Sequence, residues 1–285
     1  MSSNLKYNEI DGWLQTRQLT DTLWLIREPL GRMMPDYLTD WLNLFLILNP
    51  TQALLVDTGT GLSSIRKVVS KLVGPRRTTT VLTTHHHFDH VGCLHEFDQT
   101  LVHPAEIPPL LEPESLEYIR EDMARHGDPA APKLPTPYVR QPITQDMCLA
   151  VEPDEWMRFG EDEFQIVHLP GHTAGGLGLW NPQDRIFFVG DTFQLGYVYT
   201  GEDPRLFRQS LDKMASITKD GGGVFVPSHE KLFLTRKDLQ ELQDVLDQAL
   251  DDQGSTSRLT NSVLDNRLFD GGKFKVLLPL LPEDQ

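Results

Sequence analysis

The sequence predicts an α/β protein, and three observations carry that expectation. Short apolar, β-branched runs alternate with amphipathic helical segments, in two successive sets. Each candidate ligand group stands at the carboxyl end of one of those runs, where chemistry gathers in α/β sheets. No stretch between the two sets reads as a linker to a separable unit, so residues 1–285 are expected to form a single domain.

In chain order, the Thr20-Asp21 turn precedes a strand, Thr22 to Ile26. Residues 31–40, with Gly31, Pro35 and two methionines, read as an irregular loop overhanging a site, or as core filler through Met33 and Met34. Asn43 to Leu48 and Ala53 to Val56 are strands joined by Asn49-Pro50-Thr51-Gln52, a turn sequence, and so form a hairpin. Asp57 follows, and then Thr58-Gly59-Thr60-Gly61. Ser63 or Ser64 caps a helix with Ile65, Val68, Val69 and Leu72 on its apolar face, ended by Gly74-Pro75. Thr80-Val81-Leu82-Thr83 is the next strand, Leu94 to Phe97 a short helix, and Thr100 to His103 another strand. Eight prolines lie between Pro104 and Pro137, interrupted by a helical piece from Leu116 to Met123. Residues 104–142 are therefore expected to be an insertion that forms a lid or pocket wall.

Glu163 to His168 alternates as a strand and ends at Pro170-Gly171-His172. Gly176 to Trp180 and Ile186 to Val189 follow, joined by the Asn181-Pro182 turn, and Asp191 comes next. Asp203-Pro204 opens a helix with Leu206, Phe207, Leu211, Met214 and Ile217 on one face. Val224-Phe225-Val226 delivers His229, and Thr235 to Leu250 is amphipathic. Phe274 to Leu281 is apolar enough for an edge strand or a subunit contact, which leaves a homodimer open.

Composition narrows the partners. The net charge of −15, with no compensating Lys/Arg stripe, repels phosphates and excludes nucleic acid as the expected partner; a small-molecule substrate remains. Cys93 and Cys148, far apart and outside any CxxC pattern, fit a reducing compartment. Met1 to Lys6 lack the apolar core of a signal peptide, and Leu44 to Leu48 is too short to span a bilayer. The expectation is a soluble, cytoplasmic protein without a membrane partner.

The densest chemistry is Thr84-His85-His86-His87-Phe88-Asp89-His90, directly after a strand. Neutral imidazole and carboxylate are the ligands that zinc and similar divalent ions prefer. Alternate residues of an extended segment point the same way, so His85 and His87 converge on one ion. Asp89 and His90, past the bend, reach a second.

His85-x-His87-x-Asp89-His90 resembles the signature of the metallo-β-lactamase-fold superfamily. Further landmarks recur in the family's order: Leu55-Val56-Asp57-Thr58-Gly59, Pro170-Gly171-His172-Thr173, Val189-Gly190-Asp191-Thr192 and Pro227-Ser228-His229. The resemblance implies an αββα sandwich, with two mixed sheets face to face, helices outside and metals along one edge. It implies that His85, His87 and His172 hold one ion, that Asp89, His90 and His229 hold another, and that Asp191 bridges them. The implied cofactors are two divalent ions, zinc first, with iron or manganese as alternatives, and no other cofactor. They would sit about 3.5–4 Å apart and share a hydroxide as nucleophile. Asp57 would orient a ligand histidine or its loop, and His86 and His168 are packing or supporting residues. Tyr197 and Tyr199 join Asp89 as candidate catalytic residues, as proton donors or pocket lining.

Within the superfamily, true β-lactamases lack the bridging aspartate that Asp191 supplies. Acyl-homoserine lactonases carry a tyrosine where this chain has Gln194. Thr83 to His87 and Gly190-Asp191-Thr192 resemble glyoxalase II, whose Gly-Gly after the cluster is Gly92-Cys93 here. The run from Asp89 to Asp98 is more similar to the acyl-CoA thioesterase-like group. The expected function is a dinuclear metal-dependent hydrolase of a thioester, ester or lactone. The alternatives are a mononuclear iron persulfide dioxygenase-like enzyme and a phosphodiesterase of the same fold. The insertion and the Gln194–Tyr199 loop are expected to wall a pocket for an uncharged or partly apolar acyl group, using Leu110, Leu111, Leu116, Leu134, Tyr138, Phe193, Leu195, Tyr197 and Tyr199. Arg120, Arg125, Lys133 and Arg140 would meet a phosphate or carboxylate at its mouth.

Overall fold

The strand Leu42–Leu48 is buried along its whole length. A strand with no wet face needs cover on both sides, and the architecture supplies it. The computed structural model describes residues 7–280 apart from 11, 135, 202, 221, 252–255, 262 and 263; Met1 to Lys6 and Leu281 lie outside the described residues. The chain forms β1 (Asn8–Ile10), β2 (Leu14–Gln18), β3 (Leu23–Glu28), α1 (Leu30–Met33), β4 (Leu42–Leu48), β5 (Gln52–Val56), α2 (Ile65–Val73), β6 (Thr78–Leu82), α3 (Phe88–Val91) and β7 (Thr100–Val102). The insertion holds α4 (Ile107–Leu111), β8 (Glu114–Ser115), α5 (Glu117–His126) and β9 (Val139–Arg140). The chain continues through β10 (Cys148–Ala150), β11 (Trp156–Phe159), β12 (Asp162–His168), β13 (Leu177–Asn181), β14 (Ile186–Phe188), β15 (Gly196–Tyr199), α6 (Pro204–Ile217), β16 (Val224–Val226), α7 (Arg236–Leu250), β17 (Ser257–Thr260), β18 (Asp265–Asp270) and β19 (Phe274–Leu278).

An eight-stranded sheet, β1-β2-β3-β4-β5-β6-β7-β10, faces a five-stranded sheet, β11-β12-β13-β14-β16. Leu25, Phe45, Leu54 and Val56 of the first meet Phe164, Ile166, Leu179 and Phe188 of the second in one core. The Phe45 ring meets Phe188 edge-on at 5.1 Å. The opposite face of the large sheet (Leu44, Leu55, Val81) packs on α2 and on Leu110, Leu116 and Tyr138 of the insertion. The opposite face of the smaller sheet (Val167, Phe187, Phe225) packs on α6 and α7 through Phe207, Leu211, Leu242 and Leu246. This is the αββα sandwich. Each outer helix is closed by its own sequence: Ser64 caps α2, Asp203 accepts two backbone N–H groups of α6, and Thr235 with Asp238 makes a capping box on α7.

Two readings are corrected, and a third follows one of its alternatives. Phe274–Leu278 is not an edge strand, because β19 lies between β15 and β18 in a third sheet, β15-β19-β18-β17. Val276 and Leu278 join the core under α7, so the strand's apolarity is covered within the chain. Residues 196–199, read as loop, are β15, paired in parallel with β19. Met33 and Met34 are fully buried as core filler, and the loop around them holds α1 and a 3₁₀ turn at Pro35–Tyr37.

Strand direction positions the chemistry. β5 and β6 are parallel. β12, β14 and β16 share one direction, since β13 is antiparallel to β12 and β14 while β16 is parallel to β14. The segments after these five strands carry Asp57, the histidine cluster, His172, Asp191 and His229. The sheets are tied there by backbone hydrogen bonds from Leu177 N–H to the Thr84 carbonyl (2.8 Å) and from Asn43 N–H to the Ser228 carbonyl (2.6 Å). Close approach demands glycine at two points. A Cβ on Gly92 would lie 2.2 Å from the Thr60 carbonyl carbon, and one on Gly201 would lie 1.9 Å from the Gly171 oxygen. Among the described residues, no helix is long and apolar enough to cross a membrane.

Phe45→Ala should destabilise the protein by about 3–5 kcal/mol in urea unfolding, because it opens a cavity between the sheets. Trp156→Ala, at a side chain 56% exposed, should change stability by no more than about 0.5 kcal/mol.

Candidate metal centre

β6 ends at Leu82, a bend follows at Thr84, and α3 begins at Phe88 directly after the extended His87. His85 and His87 therefore lie between the strand end and the one helical turn that supplies Asp89 and His90. Three ring nitrogens meet: His85 Nε2 and His172 Nε2 lie 3.1 and 3.0 Å from His87 Nδ1. Asp191 Oδ2 stands 3.6 Å from His172 Nε2 and 4.0 Å from His85 Nε2. On its other side, Asp191 is 3.2 Å from His229 Nε2 through Oδ2 and 3.4 Å from His90 Nε2 through Oδ1. Asp89 Oδ2 completes that second group, 3.4 Å from His229 Nε2 and 3.8 Å from His90 Nε2. Bonds of about 2.0–2.1 Å in a tetrahedral site put donors roughly 3.3–3.4 Å apart, close to these separations.

The histidines are aimed from behind. His90 Nδ1–H donates to Asp57 Oδ2 at 2.8 Å, His172 Nδ1–H to the Tyr199 carbonyl at 2.8 Å, and His229 Nδ1–H to the Trp41 carbonyl at 3.2 Å. The Thr84 hydroxyl donates to Asp57 at 2.7 Å and accepts from His85 Nδ1–H at 3.0 Å. Each bond fixes the tautomer that turns Nε2 and its lone pair inward. Asp57 adopts a left-handed φ of 62°, which an aspartate tolerates, and so turns its carboxylate beneath the cluster.

What remains inside is orphaned. Both oxygens of Asp89, His90 Nε2 and Asp191 Oδ1 are buried without a hydrogen-bond partner. Such groups are costly unless a cation satisfies them. The donor chemistry, nitrogen and carboxylate oxygen, fits divalent transition ions.

Charge divides the centre. Burial lowers the pKa of His85, His87 and His172, reinforced at His85 by His90 and at His87 by His172, so these rings stay neutral. Burial also works against protonation of His90 and His229, but the facing Asp191 and Asp89 outweigh it and raise both. Asp191 is held well below the usual carboxylate range because His229 and His90 overcome its burial. Burial wins at Asp89 and raises it.

A cavity of about 270 Å³ opens on this centre. Tyr197 and Tyr199 line it, as do Glu114 and Tyr118 of the insertion, Gln194, and Tyr37, which the sequence had not marked. Tyr37 sits in the 31–40 loop, and nothing in its local sequence separates it from any other loop tyrosine. Glu106 was missed for the same reason. It is buried, and its carboxylate accepts from His86 N–H and Nδ1–H and from Gly175 N–H, tying the histidine loop to the loop of His172. His168 donates to the Ala174 carbonyl at 3.0 Å and stacks on His103.

The proposed pocket wall is partly corrected. Leu110, Leu116, Tyr138 and Phe193 are buried in the cores rather than lining the cavity. Arg120 pairs with Glu117, Arg125 with Glu121, and the buried Arg140 with Glu114, so these three cations are engaged within the chain. A separate cluster of Asp36, Asp122 and His126 contributes none of the residues that line the cavity, with His126 exposed and bonded to Asp122 at 3.0 Å.

Comparison with known proteins agrees with this geometry. The family model of the Metallo-beta-lactamase superfamily matches residues 43–244. The human acyl-coenzyme A thioesterase MBLAC2 is 28% identical over 165 residues, 52% of this chain and 57% of that protein. A hydroxyacylglutathione hydrolase of Bartonella quintana (strain Toulouse) is 30% identical over 118 residues, 41% of this chain and 35% of that one. The chain thus spans little more than half the length of one relative and about a third of the other. Among solved structures, a metallo-beta-lactamase family protein from Thermus thermophilus superposes with a TM-score of 0.58 over 82% of each chain at 20% identity, a likeness of fold.

Protonation should free bound metal from the His90–His229 side of the centre before the His85–His87–His172 side, because the facing carboxylates raise His90 and His229 while burial lowers the other three. Acid titration of the metal-loaded protein, followed by a colorimetric metal chelator, should show release in that order, and a single sharp release would contradict this division.

Proposed function

This chain belongs to the metallo-β-lactamase superfamily, and on that premise we propose that it is a dinuclear metal-dependent hydrolase of an ester-like bond, with a thioester as its first candidate substrate. The observation that carries the reading is the pair of donor groups on either side of the Asp191 carboxylate, one of them holding the unsatisfied Asp89 oxygens. His85, His87 and His172 would hold one ion and Asp89, His90 and His229 the other, with Asp191 between them. Two divalent ions, zinc first, supply Lewis acidity and water whose pKa falls to about 7.

The chain's own residues do the rest. Asp57 and Thr84 orient His90 and His85, and two backbone carbonyls orient His172 and His229. The phenols of Tyr199 and Tyr197, together with Tyr37, hydrogen-bond the substrate and hand a proton to its leaving group. A complete second donor group favours the dinuclear hydrolase over a mononuclear iron oxygenase. A phosphodiesterase is disfavoured because no Lys or Arg lines the cavity among the described residues. Thioester chemistry draws support from the MBLAC2 and hydroxyacylglutathione hydrolase relatives.

Elemental analysis of the purified protein should find close to two zinc-like ions per chain, and Asp191→Ala should lose at least one of them with its activity. A single iron per chain would overturn the dinuclear assignment. Tyr199→Phe keeps the carbonyl that holds His172, so metal content should stay at the wild-type level. Its kcat should fall about 10²-fold if the phenol moves the proton; an unchanged kcat removes that role.

A further inference from the structure

A second space adjoins the centre. Besides the tyrosine cavity, a groove of about 380 Å³ runs between the 171–174 loop and the start of α6. The two spaces share His87, His172 and Tyr199. They differ in what they reach. The cavity touches both donor groups, through His87 and His172 and through Asp191 and His229, whereas the groove touches only His87 and His172. A scissile carbonyl that must lie against both groups therefore sits on the cavity side, which leaves the groove, next to His87 and His172, for a part of the substrate beyond it.

The walls also differ. Phe88, Tyr118, Leu264 and Leu277 give the cavity aromatic and aliphatic surface. Gly171, Ala174 and Gly201 of the groove carry at most a methyl group, and Thr173 lies beside them. No Lys or Arg lines the groove among the described residues, and Asp203 stands at its edge. The net charge of −15 adds to the bias against an anion there.

We propose that this groove is a leaving-group subsite that takes the uncharged, amide-bearing thiol arm of a thioester whose acyl chain occupies the tyrosine cavity. The assignment rests on the hydrolase reading above. In that reaction water adds to the acyl carbon and the C–S bond breaks. The products are a carboxylic acid and a free thiol that carries the remaining proton, with no oxidant or reductant. In this assignment the amide of the arm pairs with polar groups of the 171–174 loop, Thr173 among them, and Ala174 and Leu206 decide what fits.

The test uses the zinc-loaded full chain and hexanoyl thioesters of three thiols: N-acetylcysteamine (neutral, with an amide), ethanethiol (neutral, without one) and 3-mercaptopropionate (anionic). The non-hydrolysable thioether isosteres report binding separately. Wild-type kcat/KM should favour the N-acetylcysteamine thioester over the ethanethiol one about tenfold, with the anionic arm poorest. Ala174→Trp, at an exposed position, should bring that ratio close to one. Leu206→Lys should raise the mercaptopropionate thioester about tenfold relative to N-acetylcysteamine, a gain that misfolding cannot produce. Isostere dissociation constants should follow the same order, and zinc content controls for the integrity of each variant.

If Ala174→Trp instead shifts acyl-length preference while thiol preference stays, the groove holds the acyl chain and the assignment is overturned. Turnover without discrimination among thiols overturns it as well and leaves the hydrolase reading standing. If no ester or thioester is turned over and no isostere binds, the hydrolase reading fails and this assignment falls with it.

Discussion

A carboxylate buried among imidazoles is the constraint on which the rest depends. Asp191 lies within 4.0 Å of ring nitrogens of His85, His90, His172 and His229, in a pocket that also buries the unpartnered Asp89. Desolvated charge of this density is stable only where partners are held rigidly and a cation balances the oxygens. The surrounding structure meets the first requirement. Five strand ends arrive at one edge, and cross-sheet backbone bonds keep the two sheets from sliding there.

Support for the centre is layered. Thr60 accepts the Tyr138 hydroxyl on its carbonyl, packs against Gly92 and hydrogen-bonds Glu28, whose burial pushes its carboxyl up to about 7. The adjacent Thr58 N–H holds the His90 carbonyl. The insertion, through Tyr138, and the large sheet, through Glu28, thus converge on the backbone that positions a proposed ligand. Glu106 performs the matching task between the histidine loop and the His172 loop. The insertion is therefore part of the scaffold of the centre as well as of its cavity, which explains why Leu110, Leu116 and Tyr138 are spent on the core.

The cavity's chemistry follows from what the fold leaves unpaired. Arginines near it are tied to glutamates or to carbonyls, so the wall around the centre presents phenols, the Thr39 hydroxyl, an amide and the Glu114 carboxylate. Phenols donate hydrogen bonds without adding charge, which suits the carbonyl substrate proposed above. β19 shows how local apolarity serves two surfaces at once. Alternate side chains of one strand face opposite ways, so Val276 and Leu278 seal the core under α7 while Leu277 faces the cavity.

The sequence by itself determined the α/β alternation, the caps of α2 and α6 and the candidate ligands. Those signals are local: a strand's apolar run, a Ser or Asp before a helix, and imidazoles at period two followed by one helical turn. His85, His87, Asp89 and His90 were legible because their convergence needs only six consecutive residues. His172, Asp191 and His229 were reached through family resemblance, since no spacing rule says that the ends of β12, β14 and β16 meet the end of β6. Only the tertiary structure decided that Tyr37, Tyr118, Glu106 and Glu28 belong to the centre. It also decided that β19 is an interior strand and that Arg140 is spent on Glu114. Those roles depend on contacts between residues far apart in the chain, set by sheet order and packing, to which a residue's immediate neighbours carry no guide.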